Sequence, residues 1–178
     1  FAPDRLTLVG MVHLPALPGA PGHEQPMDAI LSYVRSETRR LAKAEFDGVM
    51  VENYGDTPVH PERVPPETVG ALSLCVREAI EAADGRPVGV NVLRNDASAA
   101  LAVAAIAPAD FIRVNVHQGV VVADQGLISG RAHETLRLRE GDDAALIHGA
   151  PLLAYLNPGR FAVIDDSMSF PFPAGMKK

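Results

Sequence analysis

Polar side chains that suit acid–base chemistry and ligand binding recur in this sequence directly after, or inside, short apolar runs. His13 ends one run, Glu52 and Asn53 follow a second, and Asn91 lies in a third. A carboxylate and an imidazole that meet in a fold can transfer protons as general base and acid. Arginine and amide side chains bind anions and hydroxyl groups. The candidate residues are His13, Glu52, Asn53, Asp56, Asn91, Arg94, Asn95, Asp96, Arg113, Asn115, Asp124 and Gln125.

The elements that must position these residues alternate along the chain between strand and helix. Four apolar runs predict strands, at residues 6–14, 48–53, 87–93 and 111–116, and residues 144–153 predict a fifth. Helical periodicity predicts helices over 28–45, 66–83, 97–107 and 129–140, and residues 15–26, 54–66 and 117–129 are predicted loops. Strands that are separated by single helices indicate a parallel sheet with right-handed crossovers.

Two parallel α/β architectures satisfy this pattern, an open doubly wound sheet and a (β/α) barrel of the TIM type. No G-x-G-x-x-G follows the first strand and the phosphate-binding loop pattern is absent, so a dinucleotide fold is not supported. Asn91 and Arg113 lie inside strands, which suits a barrel lumen better than a sheet covered by apolar helices on both faces. We therefore predict a TIM-barrel-type α/β fold with parallel strands. Its functional edge is the rim, the carboxyl ends of the strands.

Each candidate also has a structural explanation. Asp96 is placed to cap the following helix, and Asn95 suits a turn. Asn91 and Arg113 could form a satisfied polar layer with Glu52, because buried charge must be paired. Polar residues at five consecutive strand ends nevertheless favour a ligand-binding rim over capping alone.

The roles that we assign follow from side-chain chemistry. Glu52 or Asp56 is the candidate general base, acting with His13, and Arg94 is the candidate anchor for an anion. Asn91 and Asn115 are candidate ligands for hydroxyl groups. No local pair such as H-x-H or H-E-x-x-H is present, so we predict no metal, and the sequence identifies no cofactor. Dispersed ligands from His13, Glu52, His117 and His148 are the alternative.

Composition limits the classes of partner and compartment. The formal net charge of −6 disfavours nucleic acid as a partner. The single cysteine, Cys75, excludes an internal disulfide and is expected to be a buried apolar side chain. No transmembrane-length apolar run and no signal peptide is visible, so we expect a cytoplasmic protein.

Four motifs, in order and correctly spaced, resemble one family. They are VGMVHLPALPGAP, DGVMVENYGDTP, PVGVNVLRNDASAAL and FIRVNVHQGVVVADQGLISGRAHETLRLR, and together they run from about residue 8 to residue 139. This pattern is similar to the BtpA family, also called the BtpA/SgcQ family. The resemblance implies a TIM barrel of the ribulose-phosphate-binding type. By position it also implicates the twelve candidate residues, together with Gly126.

The resemblance implies two functions. One is an enzyme that binds a small polar ligand containing a sugar, nucleoside or phosphate. The other is non-catalytic biogenesis of a photosystem I-type membrane complex, since the founding cyanobacterial member is linked to photosystem I accumulation as a peripheral membrane protein. Peripheral attachment to the cytoplasmic face of a membrane is the corresponding alternative location.

The pattern weakens after Arg139. A complete barrel takes about 250 residues, so we expect about the first half of one over residues 1–150. Residues 151–178 are expected to be a divergent, irregular tail with one strand, RFAVID. Such a half barrel would need a partner copy, another subunit or a rearranged tail, which leaves a homo-oligomer or an inactive truncated remnant as alternatives.

Overall fold

The structure of the protein, a computed structural model, describes residues 7–140, 152–157 and 160–164. Strands and helices alternate through the fourth strand, as predicted. In chain order the elements are β1 (Val9–His13), α1 (Met27–Lys43), β2 (Gly48–Glu52), α2 (Pro66–Ala82), β3 (Val88–Asn91), α3 (Ala97–Ile106), β4 (Phe111–Val114), β5 (Val120–Ala123), β6 (Gly126–Ser129), α4 (Ala132–Glu140), β7 (Leu152–Asn157) and β8 (Arg160–Ile164).

The main sheet has the strand order β1-β2-β3-β4-β7-β8. Strands β1 to β4 pair in parallel with their sequence neighbours. Because crossovers between parallel strands are almost always right-handed, sequential order places the connecting helices on a single face, as in a barrel. The parallel α/β fold is therefore confirmed, in the arrangement of a partial barrel, and the described strands do not close into a complete one.

One face of this sheet packs against the helices. Val12, Val51, Val90 and Ile112 lie at matching register on β1 to β4 and are buried in one apolar cluster with α1, α2 and α3. The buried stripe of α2, which includes Cys75, lies in the same cluster. Burial of this apolar surface is the main force that holds the strands in register.

The opposite face of the sheet, here called the inner face, carries the residues that alternate with this core. Its lower layer contains Met50, Gly89 and Phe111, which are partners across β2, β3 and β4. A Cβ atom on Gly89 would collide with the ring of Phe111, so glycine is what lets this ring lie across β3. The inner face is thus packed at its lower layer and becomes polar toward the carboxyl ends of the strands.

The prediction of a loop over residues 117–129 was wrong. Strands β5 and β6 form an antiparallel hairpin, joined by the two residues Asp124 and Gln125. Val120, Val121 and Val122 favour extended backbone because they are β-branched. Gly126 follows at a φ of +103°, which glycine adopts without steric cost.

Two strands, β7 and β8, lie in the range that was expected to be a divergent tail with a single strand, so β7 is additional to that expectation. Strand β7 pairs in parallel with β4, and β8 pairs antiparallel with β7. The strand predicted from RFAVID is confirmed as β8. The predicted fifth strand, residues 144–153, overlaps the described residues only at its end, and a division of the chain at residue 150 stays a prediction.

Candidate functional site

The carboxyl ends of four parallel strands present four polar residues side by side. His13 pairs in register with Glu52, Glu52 with Asn91, and Asn91 with Arg113. Each alternates with a core valine or isoleucine, so all four belong to the inner face. We call these four residues the inner row. The sheet therefore brings together one imidazole, one carboxylate, one amide and one guanidinium that are widely separated in the sequence.

Glu52 is the centre of the inner row. Its side chain is buried, with the residue only 6% exposed. The amide nitrogen of Asn91 donates a hydrogen bond to Glu52 Oε2 at 2.9 Å, and Arg113 Nη1 lies 3.5 Å from the same oxygen. The guanidinium supplies the positive charge that a buried carboxylate requires. Both described contacts end on Oε2, so neither of them occupies Oε1.

A chain of amides continues from Glu52 along the rim. Asn91 Nδ2 also donates to Asn115 Oδ1 at 3.2 Å. Asn115 Nδ2 in turn donates to the backbone carbonyl of Arg94 at 2.9 Å. These hydrogen bonds fix the orientation of both side-chain amides. They also connect the inner row to the loop after β3.

Arg94 reaches from the β3–α3 loop to the turn of the β5–β6 hairpin. Its Nε donates to Gln125 Oε1 and its Nη2 to Asp124 Oδ1, both at 2.9 Å. Gln125 donates to the other oxygen of Asp124 at 2.7 Å. These contacts tie the hairpin turn to the rim. An anion at Arg94 would have to compete with Asp124, which bears on the predicted anchor role.

Asn53 and Asp56 lie apart from the inner row and hold together the loops that follow β1, β2 and β3. Asn53 donates to Asp56 Oδ2 at 3.0 Å and accepts from the backbone nitrogen of Leu93 at 2.7 Å. Asp56 Oδ1 accepts from the backbone nitrogen of Leu17 at 2.8 Å. Both oxygens of Asp56 are thus engaged in holding the β1–α1 loop against the β2–α2 loop, and Glu52 is the better placed of the two candidate bases.

Asn95 and Asp96 likewise make backbone contacts. Asn95 both donates to and accepts from the main chain of Val116, at 2.9 and 2.8 Å. Asp96 caps α3, as the sequence predicted, by accepting from the backbone nitrogen of Ala99 at 2.9 Å. Its second oxygen accepts from the backbone nitrogen of Val64 at the same distance. Their predicted part in ligand binding would come in addition to these roles.

Two tyrosines beside His13 were missed in the sequence. The ring of Tyr54 stacks on the imidazole of His13, with centroids 4.4 Å apart and an angle of 15° between the planes. The hydroxyl of Tyr33 donates to the carbonyl of His13 at 3.1 Å. Tyr54 could have been found, because it follows Glu52 and Asn53 directly in a strand-end motif. Tyr33 lies in a helix, and no sequence signal connects it with His13.

His117 lies away from the inner row in a buried position. Among the described residues neither of its ring nitrogens has a hydrogen-bond partner. Burial, and secondly the charge of Arg139, lowers the pKa of this imidazole below its ordinary value, so the ring is neutral at pH 7. His148, its proposed companion in a dispersed metal site, lies outside the described residues.

A separate cavity of about 120 Å³ lies beside the rim, between the start of α3 and the start of α4. Val116 and Ile128 contribute apolar surface to it, and Glu62, Arg63 and Arg131 contribute charge of both signs. None of the inner row lines this cavity, so the concave space and the polar row are distinct features of the same end of the sheet.

Three further features of the described part of the chain concern a metal site, a reactive thiol and a membrane-spanning helix. In residues 7–140, 152–157 and 160–164, no three His, Cys, Asp or Glu side chains are grouped closely enough to hold a metal ion. Burial raises the pKa of Cys75 to about 12, so its thiol stays protonated and packs as an apolar group. None of the helices in this part of the chain has both the length and the apolar character to cross a membrane.

The chain is similar to proteins from archaea, cyanobacteria and animals. An uncharacterized protein of Pyrococcus horikoshii is 44% identical over 132 residues, which cover 74% of this chain and 50% of that protein. The protein named Photosystem I biogenesis protein BtpA of Synechocystis is 42% identical over 153 residues, with 82% and 53% covered. An uncharacterized mitochondrial protein of Caenorhabditis elegans is 38% identical over 140 residues, with 76% and 50% covered. No solved structure matches the chain.

The chain spans about half the length of the curated relatives that it matches. The model of the BtpA family matches residues 4–148, a range that contains the inner row and the loops that brace it. This chain belongs to the BtpA family.

Proposed function

We propose that the inner row binds a small polar ligand at the rim and that Glu52 acts on it as a general base. The observation that carries this proposal is the alignment of His13, Glu52, Asn91 and Arg113 at one register, on the sheet face opposite the helices. Parallel α/β folds bind their ligands at this edge because the carboxyl ends of the strands and the loops that follow them converge there.

The chemistry of the row suits a ligand that carries hydroxyl groups. Asn91, whose amide hydrogens are taken by Glu52 and Asn115, offers its amide oxygen, and Glu52 offers a carboxylate whose Oε2 is already held by Asn91 and Arg113. In this scheme Oε1 accepts the hydrogen bond of a ligand hydroxyl and then its proton. His13 lies on the neighbouring strand, where its imidazole can return a proton to the product.

A thermal-shift screen of the full chain against sugars, nucleosides and their phosphates tests this proposal. A ligand at 100 times its Kd should raise the melting temperature by about 5 °C or more in the wild type. Glu52→Gln should remove most of that shift. Glu62→Gln, an exposed glutamate that lines the separate cavity, should keep it. Ligands that stabilise the Glu52→Gln variant as strongly as the wild type would exclude the row as the site.

A second candidate function is assistance in assembling a membrane protein complex. The printed name of the Synechocystis relative supports it. The exposed apolar side chains of Val120, Val122 and Leu127 on the β5–β6 hairpin offer a surface for a protein partner. In a strain that lacks its own relative, Val122→Lys with Leu127→Lys should then abolish rescue while Glu52→Gln keeps it. The reverse pattern would favour the ligand-binding function.

A further inference from the structure

The stacked rings of His13 and Tyr54 lie at the end of the inner row, and the backbone that carries Tyr54 is held on both sides. The backbone nitrogen of Tyr54 donates to the Glu52 carbonyl at 2.8 Å, and that of Gly55 donates to the Leu14 carbonyl at 3.0 Å. A side chain at Gly55 would collide with the backbone of Pro15, so the two loops cross in close contact. The position of Tyr54 is therefore fixed by the backbone on both sides before any ligand arrives.

These rings remain exposed although they contact each other. Tyr54 keeps 58% of its surface in solvent, and His13 is exposed as well. Aromatic rings that stabilise a fold are usually buried on most sides. Tyr54 and Tyr33 both contact His13. The His13–Tyr54 pair thus presents a preorganised aromatic surface that the apolar core does not use.

This aromatic surface lies directly beside the hydroxyl-binding groups. His13 and Glu52 are register partners on adjacent strands, which are about 4.8 Å apart. Asn91 is one strand further along the same row. A ligand with a flat ring joined to a ring of hydroxyl groups can therefore contact the aromatic surface and the polar row at once.

Charge at the rim favours a neutral ligand. Arg113 is paired with Glu52, and Arg94 is paired with Asp124. A phosphate group at either arginine would have to share the guanidinium with a carboxylate, which lowers the positive charge available to it. The chain as a whole carries a formal net charge of −6, which disfavours a polyanion further.

We propose that the His13–Tyr54 pair stacks the base of a nucleoside whose ribose hydroxyls are bound by Glu52 and Asn91. This inference rests on the proposed function, and it names the class of ligand. Bases stack on tyrosine and histidine rings through their π faces, and their sugars leave the ring at the edge, toward the polar row. Tyr33 is a positioning residue here, because its hydroxyl holds the carbonyl of His13 and makes no contact with the base.

Isothermal titration calorimetry of the full chain with adenosine, guanosine, cytidine, uridine and D-ribose tests the inference. At least one nucleoside should bind more tightly than ribose by about fivefold or more, the minimum expected from one stacked base. Tyr54→Ala should remove that difference and leave ribose affinity unchanged. Tyr54→Phe should keep it, since the ring remains. Leu74→Ala, a truncation at a similarly exposed position on α2, is the matched control and should bind like the wild type.

The outcomes separate the inference from the function on which it rests. If ribose binds in a manner that Glu52→Gln abolishes, while no nucleoside gains affinity from its base, the inference is wrong and the proposed function stands. The same holds if Tyr54→Ala leaves nucleoside affinity unchanged. If neither ribose nor any nucleoside binds while other ligands of the thermal screen depend on Glu52, only the nucleoside assignment fails. Absence of any Glu52-dependent ligand overturns both.

Discussion

Asn53 stands next to Glu52 in the sequence and braces the loops of the site. Replacement of Asn53 by alanine leaves the backbone nitrogen of Leu93 and one oxygen of Asp56 without their described partner. Because Asn53 is buried, we expect Asn53→Ala to lower the free energy of unfolding by about 2–4 kcal/mol in a urea titration. Gln118→Ala, at an exposed position, should change it by less than about 0.5 kcal/mol. Equal effects of the two substitutions would contradict the bracing role.

His117 gives the stability of the protein a dependence on pH. Burial, and then Arg139, lowers the pKa of this histidine in the folded state. The unfolded chain binds a proton near pH 6.5 and the folded chain only at lower pH, so the free energy of unfolding falls as the pH drops below about 6.5.

His117→Phe should remove this component, and His133→Gln, at an exposed position, should retain it. Urea titrations between about pH 7.5 and 5.5 measure the difference, above the range in which most carboxylates titrate. Identical slopes for the wild type and His117→Phe would show that the imidazole is not held neutral by the fold.

The polar residues of the rim could be located from the sequence. Which of them lie in the inner row and which hold the loops together could not. Residues that end consecutive strands identify an edge, which is why Glu52, Asn91 and Arg113 could be selected together. Past the last strand residue the alternation of faces is no longer regular, so the bracing role of Asn53 and Asp56 could not be predicted. His117 was predicted only as an alternative metal ligand, and its burial could not be foreseen because residues 117–129 were predicted to be a loop.

At the scale of single elements, the packing of β3 against β4 requires a residue without a side chain at position 89. A methyl group there would collide with the ring of Phe111, so Gly89→Ala should cost about 1–3 kcal/mol of unfolding free energy. Gly70→Ala on α2 meets no atom within 4 Å and should stabilise the helix by up to about 1 kcal/mol. Chemical denaturation of both variants measures the contrast.

The double variant Gly89→Ala, Phe111→Leu should recover part of the loss, because the smaller side chain makes room for the methyl group. A loss in the double variant equal to the sum of the losses in Gly89→Ala and Phe111→Leu would place the strain elsewhere than in the ring of Phe111.

Elements with a clear period were predictable, and elements defined by tertiary pairing were not. The helices α1 to α3 and strands β1 to β4 follow from apolar periodicity and from glycine and proline at their ends. The β5–β6 hairpin was missed for two reasons. Its valines face solvent, and its turn, Asp124–Gln125, is not one of the glycine-containing dipeptides that mark most two-residue turns. Strand β7 is recognised by its pairing with β4, a long-range contact that no local pattern encodes.

At the scale of the whole molecule, the two faces of the main sheet have different roles. Sequential parallel strands put helices on one face and leave the other face to carry an apolar layer with the inner row above it. The family model matches residues 4–148, which include β1 to β4 and the inner row. The matched region makes up about half of each of these relatives.

The side-chain amide signals of Asn91 and Asn115 test the central claim most directly, since these amides lie within the proposed site. A ¹H–¹⁵N spectrum of the full chain should be recorded during titration with the strongest ligand from the thermal screen. We predict that both pairs of signals shift in a saturable way, while those of Asn53, held in the brace, stay nearly constant. Shifts confined to residues of the separate cavity, such as Asn95 and Arg131, with Asn91 and Asn115 unmoved, would contradict the account.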